Sequence, residues 1–247
     1  MNKVDMTGEI HNSNHCGKFK VTEYNGSKEV LVEFLNTGYK VSAQRSQILL
    51  GKVEDKFLPN TFGVGVVGYN KTKHLGKFTQ HYQTWLGMLC RCYSEKEQLR
   101  NPTYIECTVS EHFQHLTNFK EWCNNQVGFG NKGWHLDKDI LHKGNKVYSE
   151  DTCCFVPYEI NVLFTKRSKM RGSCPIGVSK RGKKFQASIS INGKQKCLGS
   201  YNHLEEAFEA YKQAKENHIK LVANKWKDAI DPRVYEALTN YKVEITD

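Results

Sequence analysis

Residues 177–214 read GVSKRGKKFQASISINGKQKCLGSYNHLEEAFEAYKQA, and their periodicity decides the fold of the C-terminal part of the chain. From Lys184 to Ile191 apolar and polar residues alternate. Phe185, Ala187, Ile189 and Ile191 project to one side; Lys184, Gln186, Ser188 and Ser190 project to the other. A period of two marks a half-buried strand. Asn192-Gly193 follows, the dipeptide best suited to the left-handed conformations of a tight hairpin turn, so residues 195–201 are expected as the partner strand. The period then becomes helical: Leu204, Ala207, Phe208, Tyr211 and Ala214 share one face, and residues 202–205 (NHLE) come close to a capping box ahead of them. The expected unit is a three-stranded antiparallel sheet with one helix on its apolar face, leaving the other face polar and basic.

The charge is unevenly placed. The chain has 247 residues, with 36 Lys and Arg against 26 Asp and Glu, a net +10. Ten basic residues fall between positions 161 and 204: Lys166, Arg167, Lys169, Arg171, Lys180, Arg181, Lys183, Lys184, Lys194 and Lys196. That stretch contains no Asp or Glu, so it holds the whole cationic excess. A block this concentrated points to a polyanionic partner. Its strand-like alternation separates it from a solvated basic tail.

A ribbon of strands can enter the major groove of DNA and present side chains to base edges. Lys180, Arg181 and Lys184 are candidates for phosphate or guanine contacts. Gln186 and Gln195 carry the amides that suit adenine, and Ser188 and Ser190 are short enough for close approach. Lys166, Arg167, Lys169 and Arg171 would track the phosphate backbone alongside. Double-stranded DNA is therefore the expected partner. RNA fits less well, because aromatic residues for stacking bases are not evident on the polar strand face.

The first seventy residues read as short strands: residues 18–24, a turn signal at Asn25-Gly26, Val30–Phe34, a turn at Thr37-Gly38, then 39–43. The run GVGVVG at 63–68 lacks the Lys-Ser/Thr of a phosphate-binding loop and is expected as a connection in a small β module. From about Lys71 the texture becomes aromatic and helical. Phe78, Tyr82, Trp85, Met88 and Leu89 have helical spacing, and Phe113, Leu116, Phe119 and Trp122 repeat it in a second helix. Cys90, Cys92 and Cys107 lie between them without the second knuckle of a zinc site, so they are read as buried free thiols and no structural zinc is expected.

Residues 134–161 read WHLDKDILHKGNKVYSEDTCCFVPYEIN: strand character at 136–141, a turn at 143–145, a second strand near 153–156, then a helix after Pro157. This strand–turn–strand–helix unit holds His135, Asp137, Asp139, His142 and Asn145 close together in sequence. Apolar stretches are short, the first residues have no apolar signal region, and nine cysteines is an odd count. The expectation is a cytoplasmic chain with reduced thiols and no membrane partner.

Over about residues 175–225 the chain resembles the ethylene-response-factor (APETALA-type) DNA-binding domain. The resemblance rests on Gly177-Val178, on Phe185 with Ala187 and Ile189, on Leu-Gly-Ser-Tyr at 198–201, and on Glu-Glu-Ala at 205–207. It implies a sheet that reads double-stranded DNA in the major groove. Ser188 and Ser190 stand where Glu and Arg are usual, Gln195 replaces an Arg and Cys197 a Trp, so the plant target sequence does not transfer.

Between about Phe78 and Phe164, RCYSEKEQLRNPTYIECTV, the Phe-rich helix, LDKDIL, GNKVYSEDTCCFVP and IN are similar to the degenerate HNH nuclease cores of phage-encoded, homing-endonuclease-like proteins. These are often fused to such a DNA-reading domain. In an active HNH site one His activates water, and a neighbouring Asp or His with a helix His holds a divalent metal at the scissile phosphate. The resemblance assigns Asp137 to Mg2+ or another divalent cation. It also puts Lys138 where the base His is expected, Thr152 near the Asn position and Tyr158 near the last His. His135, Asp139, His142 and Asn145 complete the catalytic candidates. Two functions follow: a metal-dependent DNA endonuclease, or a non-cleaving DNA-binding regulator derived from one.

The expected architecture is α+β in four segments. They are a β-rich module (1–70), an HNH-like ββα core with flanking helices (71–165), the sheet-plus-helix DNA-binding domain (166–226), and a helical tail starting at Pro232 (227–247).

Overall fold

A computed structural model describes residues 5–164 and 174–247. The fold is mixed α+β, and it divides into two compact units, Met1–Glu121 and Trp122–Asp247.

In the first unit β1 (Ile10–Ser13), β2 (Gly17–Tyr24), β3 (Val30–Phe34) and β4 (Lys40–Ala43) form an antiparallel meander in sequence order. Alternation in β2 and β3 points Phe19, Val21, Val30, Val32 and Phe34 inward, where all five are fully buried. Phe19 pairs with Phe34 across the strands, their ring centroids 5.3 Å apart. β1 (IHNS) is too polar to signal a strand, and the short helix α1 (Arg45–Leu49) carries one buried residue, Ile48. Asn25-Gly26 opens a longer connection, closed by the Asn25 N–H donating to the Glu29 carbonyl, rather than a two-residue turn.

A two-stranded hairpin, β5 (Lys73–His74) and β6 (Lys77–Phe78), precedes α2 (Gln80–Tyr93). Thr79 caps that helix by accepting the Tyr82 N–H. Trp85, Met88, Leu89 and Cys92 form its buried stripe, but Phe78 ends β6 and is exposed instead of joining the stripe. After α3 (Glu95–Arg100) and β7 (Thr108–Val109), the expected second helix comes as two, α4 (Glu111–Gln114) and α5 (Leu116–Asn124). The break has a backbone cause. His115 is extended, the Val66 N–H donates to the Gln114 carbonyl, and the Leu116 N–H donates to the Val66 carbonyl. These two bonds tie down the glycine-rich run.

Two cores of the second unit position the candidate site. In the first, β8 (Trp134–Asp137) pairs antiparallel with β10 (Cys154–Pro157), with β9 (Val147–Tyr148) between them in sequence and α6 (Tyr158–Asn161) after Pro157. β8 stops at Asp137, short of the expected 136–141, because the Asp137 side chain accepts the N–H of both Asp139 and Ile140 and turns the chain. In the second, β11 (Val178–Arg181), β12 (Lys184–Ile191) and β13 (Lys194–Tyr201) form the three-stranded antiparallel sheet, followed by the 23-residue helix α7 (Leu204–Trp226). His203 occupies the N-cap position without a side-chain cap bond, so the expected capping box does not form.

One helix serves both cores. Ala207, Phe208 and Tyr211 of α7 pack on Val178, Ala187 and Ile189 of the sheet. Two turns on, Ile219, Val222 and Ala223 pack with Val156, Ile160 and Leu163. α8 (Pro232–Thr239), started by Pro232 and capped by Asp231, adds Val234 and Leu238 to this latter core. The strand–strand–helix segment and the C-terminal helices thus share one compact unit.

Candidate nucleic-acid interface

Residues paired across antiparallel strands point to the same face. On the side away from α7, Arg181 is opposite Lys184, Ser179 opposite Gln186, Gln186 opposite Ser200, Ser188 opposite Cys197, and Ser190 opposite Gln195. A β-bulge at Leu198 makes this register. Ala187 pairs with Gly199 and Ser188 with Cys197, so Leu198 turns into the core while Cys197 stays on the polar face. The sequence alternation in β12 carries no sign of it.

The face is chemically graded. Arg181 and Lys184 sit at the end nearest the 182–183 turn; small hydroxyls, one thiol and two amides fill the rest. Both amides are held. Gln195 Nε2 donates to Ser188 Oγ at 2.9 Å, and Gln186 Nε2 lies 3.3 Å from Cys197 Sγ. Each keeps one N–H and its carbonyl oxygen for another partner. Lys180 differs from its expected placement. It pairs with Phe185 and projects on the helix side, as do Lys194 opposite Ile191 and Lys196 opposite Ile189. Among the described residues, none of Lys180, Arg181, Lys183, Lys184, Lys194 and Lys196 is ion-paired with a carboxylate. Lys166, Arg167, Lys169 and Arg171 lie outside the described residues.

The catalytic candidates divide into a connected loop and two exposed histidines. Asp137 Oδ1 accepts the Asp139 N–H at 2.7 Å and the Ile140 N–H at 2.8 Å. Burial raises the Asp137 carboxyl above its ordinary value, against the pull of those two N–H groups. Lys138 is only 5% exposed; its Nζ donates to Asp139 Oδ1 at 2.6 Å and to the Asn145 carbonyl at 2.7 Å, and lies over the Tyr148 ring. Asn145 is equally committed, its Nδ2 donating to the Lys138 and Val147 carbonyls while its Oδ1 accepts the Val147 N–H.

His135 is exposed on β8 with its ring against Tyr158, and His142 is exposed and joins the loop through its backbone carbonyl, which accepts the Asn145 N–H. Thr152, near the Asn position of the resemblance, closes a turn by donating to the Val147 carbonyl.

These residues do not fit a divalent cation as they stand. One oxygen of Asp137 is taken by two N–H donors, and the loop is already centred on the Lys138 ammonium, which would repel a second cation. No cluster of three or more His, Cys, Asp or Glu that could hold a metal occurs among the described residues. All nine cysteines are free thiols, Cys92 and Cys107 buried and Cys90 half-buried. No helix among the described residues is long and apolar enough to cross a membrane.

No protein-family model, curated protein or solved structure matches this chain.

Proposed function

We propose that this chain is a double-stranded DNA-binding protein of the phage HNH homing-endonuclease type, reading the major groove with its C-terminal sheet and binding without cutting. One observation carries the reading: an acid-free sheet buries one face on α7 and turns outward a polar face, with cations that, among the described residues, make no ion pair to a carboxylate. Small side chains at Ser179, Ser188, Ser190 and Ser200 let the ribbon approach base edges, and Arg181 and Lys184 supply phosphate or guanine contacts at one end.

The reading without cleavage is supported by Lys138 together with Asp137, one oxygen of which is taken by the Asp139 and Ile140 N–H groups. A lysine stands where the resemblance expects a general base, and its side chain is buried and donates to Asp139 and to the Asn145 carbonyl instead of facing a water.

The test has two arms on the full chain. Gel retardation on mixed-sequence duplexes should reveal binding that weakens steeply with salt. A supercoiled plasmid incubated with Mg2+ or Mn2+ should stay intact. Loss of all duplex binding at low ionic strength would overturn the proposal, whereas metal-dependent nicking abolished by Asp137→Ala would restore the endonuclease reading.

A further inference from the structure

A second cationic stretch lies in the first unit, outside the sheet. Between Lys56 and Ser94 the sequence has no Asp or Glu. Within it β5 and β6 pair Lys73 with Phe78 and His74 with Lys77, leaving Leu75 and Gly76 as the two turn residues. Lys71, Lys73, His74 and Lys77 are all exposed, and none is ion-paired with a carboxylate among the described residues. The Lys73 ammonium lies over the Phe78 ring at 5.0 Å, bracing the two strands.

The tip residue is the anomaly. Leu75 is 89% exposed and holds a left-handed φ of 48°, followed by Gly76 at 78°. The same chain builds a second turn of this shape between β12 and β13, with φ of 51° and 75°, from Asn192 and Gly193. Asparagine tolerates that conformation and is soluble at a tip; leucine is strained there and leaves its whole side chain in water. Neither turn geometry nor packing within the unit explains a leucine at this position. Strain of this kind collects where a side chain is presented to a ligand.

We propose that the 73–78 hairpin is a second duplex-DNA contact, in which Leu75 wedges between base steps from the minor groove while Lys71, Lys73 and Lys77 hold the flanking phosphates. Apolar wedges in a basic frame unstack and kink DNA in this way. Charge complementarity selects DNA as the occupant. A single leucine with the rim of Phe78, surrounded by cations, is far too little apolar surface for a stable protein interface, which buries on the order of 800 Å² per partner.

The test uses the full chain and duplexes carrying 2-aminopurine at TA or CA steps, with dyes at the two ends. Wild-type protein should raise 2-aminopurine fluorescence and bend the duplex by roughly 20–90°. Leu75→Asn installs the residue the turn favours, so its thermal midpoint should hold or rise. It should lose both signals and bind roughly tenfold more weakly, with an unchanged salt slope. The double variant Lys73→Gln/Lys77→Gln should reduce the salt slope by about two.

Three results would overturn the wedge. One is Leu75→Asn binding and bending DNA as the wild type does. Another is wild-type binding, lost on replacing Arg181 and Lys184, with no change in 2-aminopurine fluorescence; that would leave the sheet reading intact. The third is Leu75→Asn altering only the sedimentation state, which would assign the leucine to a contact between copies of the chain.

Discussion

The ammonium of Lys138 lies 2.6 Å from the Asp139 carboxylate, so the loop after β8 is organised around a cation that the chain itself supplies. The lysine is almost fully buried while the aspartate side chain is half exposed, which makes the pair asymmetric. Water screens the carboxylate, so the larger share of the lysine's value comes from its bond to the Asn145 carbonyl.

Lys138→Met keeps the aliphatic stem and removes that bond. It should destabilise the protein by about 1–3 kcal/mol, the cost of an unsatisfied carbonyl, read as a lower urea midpoint with an unchanged m-value. Lys138→His places imidazole at the expected base position, yet the plasmid should remain unnicked because Asp137 still spends one oxygen on the Asp139 and Ile140 N–H groups. Nicking by the histidine variant would show that the lysine alone blocks catalysis.

Asp137 should set an unusual pH trend. Its carboxyl is raised in the folded state by burial, so its stabilising contribution is complete below the ordinary carboxylate value of about 3.9 and is lost as pH rises through the folded value. Above that folded value the ionised group is a net burden. Asp137→Asn retains the acceptor for both N–H groups and should match or exceed wild-type stability at pH 7, with duplex binding unchanged. The experiment is chemical denaturation from pH 4 to 8; a large loss of stability at pH 7 in the variant would contradict the assignment.

Arg181 and Lys184 face one another at the end of the outward sheet face. Replacing both by Gln should lower the slope of log K against log salt by about two, the release of roughly one counterion per lost phosphate contact. If Arg181 reads guanine, the slope falls by about one and specificity relaxes at one position instead. Lys180→Gln, on the opposite side, should change affinity less than either.

Gly177 holds a φ of 76°, and a Cβ there would come within 2.0 Å of the Tyr211 ring. Gly177→Ala combines left-handed strain with overpacking against α7 and should cost roughly 2–5 kcal/mol. The expected outcome is a large drop in thermal midpoint together with loss of duplex binding, whereas Gly193→Ala, with open space around it, should lose only the strain part.

Much of the fold was legible because it follows local periodicity. The alternation of Phe185 to Ile191, the apolar stripe of α7, and the inward Val30, Val32 and Phe34 of β3 each bury a face that the sequence marks as apolar, and Asn192-Gly193 makes the tight turn its dipeptide signals. The misread boundaries share another cause. Phe78, the break at His115 and the early end of β8 at Asp137 are set by backbone or side-chain hydrogen bonds to partners that residue spacing does not identify.

The sequence by itself determined where strands and helices alternate and where the cations are concentrated. Only the tertiary structure decided which face each cation of the sheet shares, because the register of β11 puts Lys180 with Phe185 and Arg181 with Lys184, and a bulge at Leu198 sets that of β13. It also decided that Asp137, Lys138, Asp139 and Asn145 bond to one another. Periodicity reports burial, which is a property of one residue. Register and hydrogen bonding belong to pairs of residues, and in this chain those pairs form only once the strands and loops have come together.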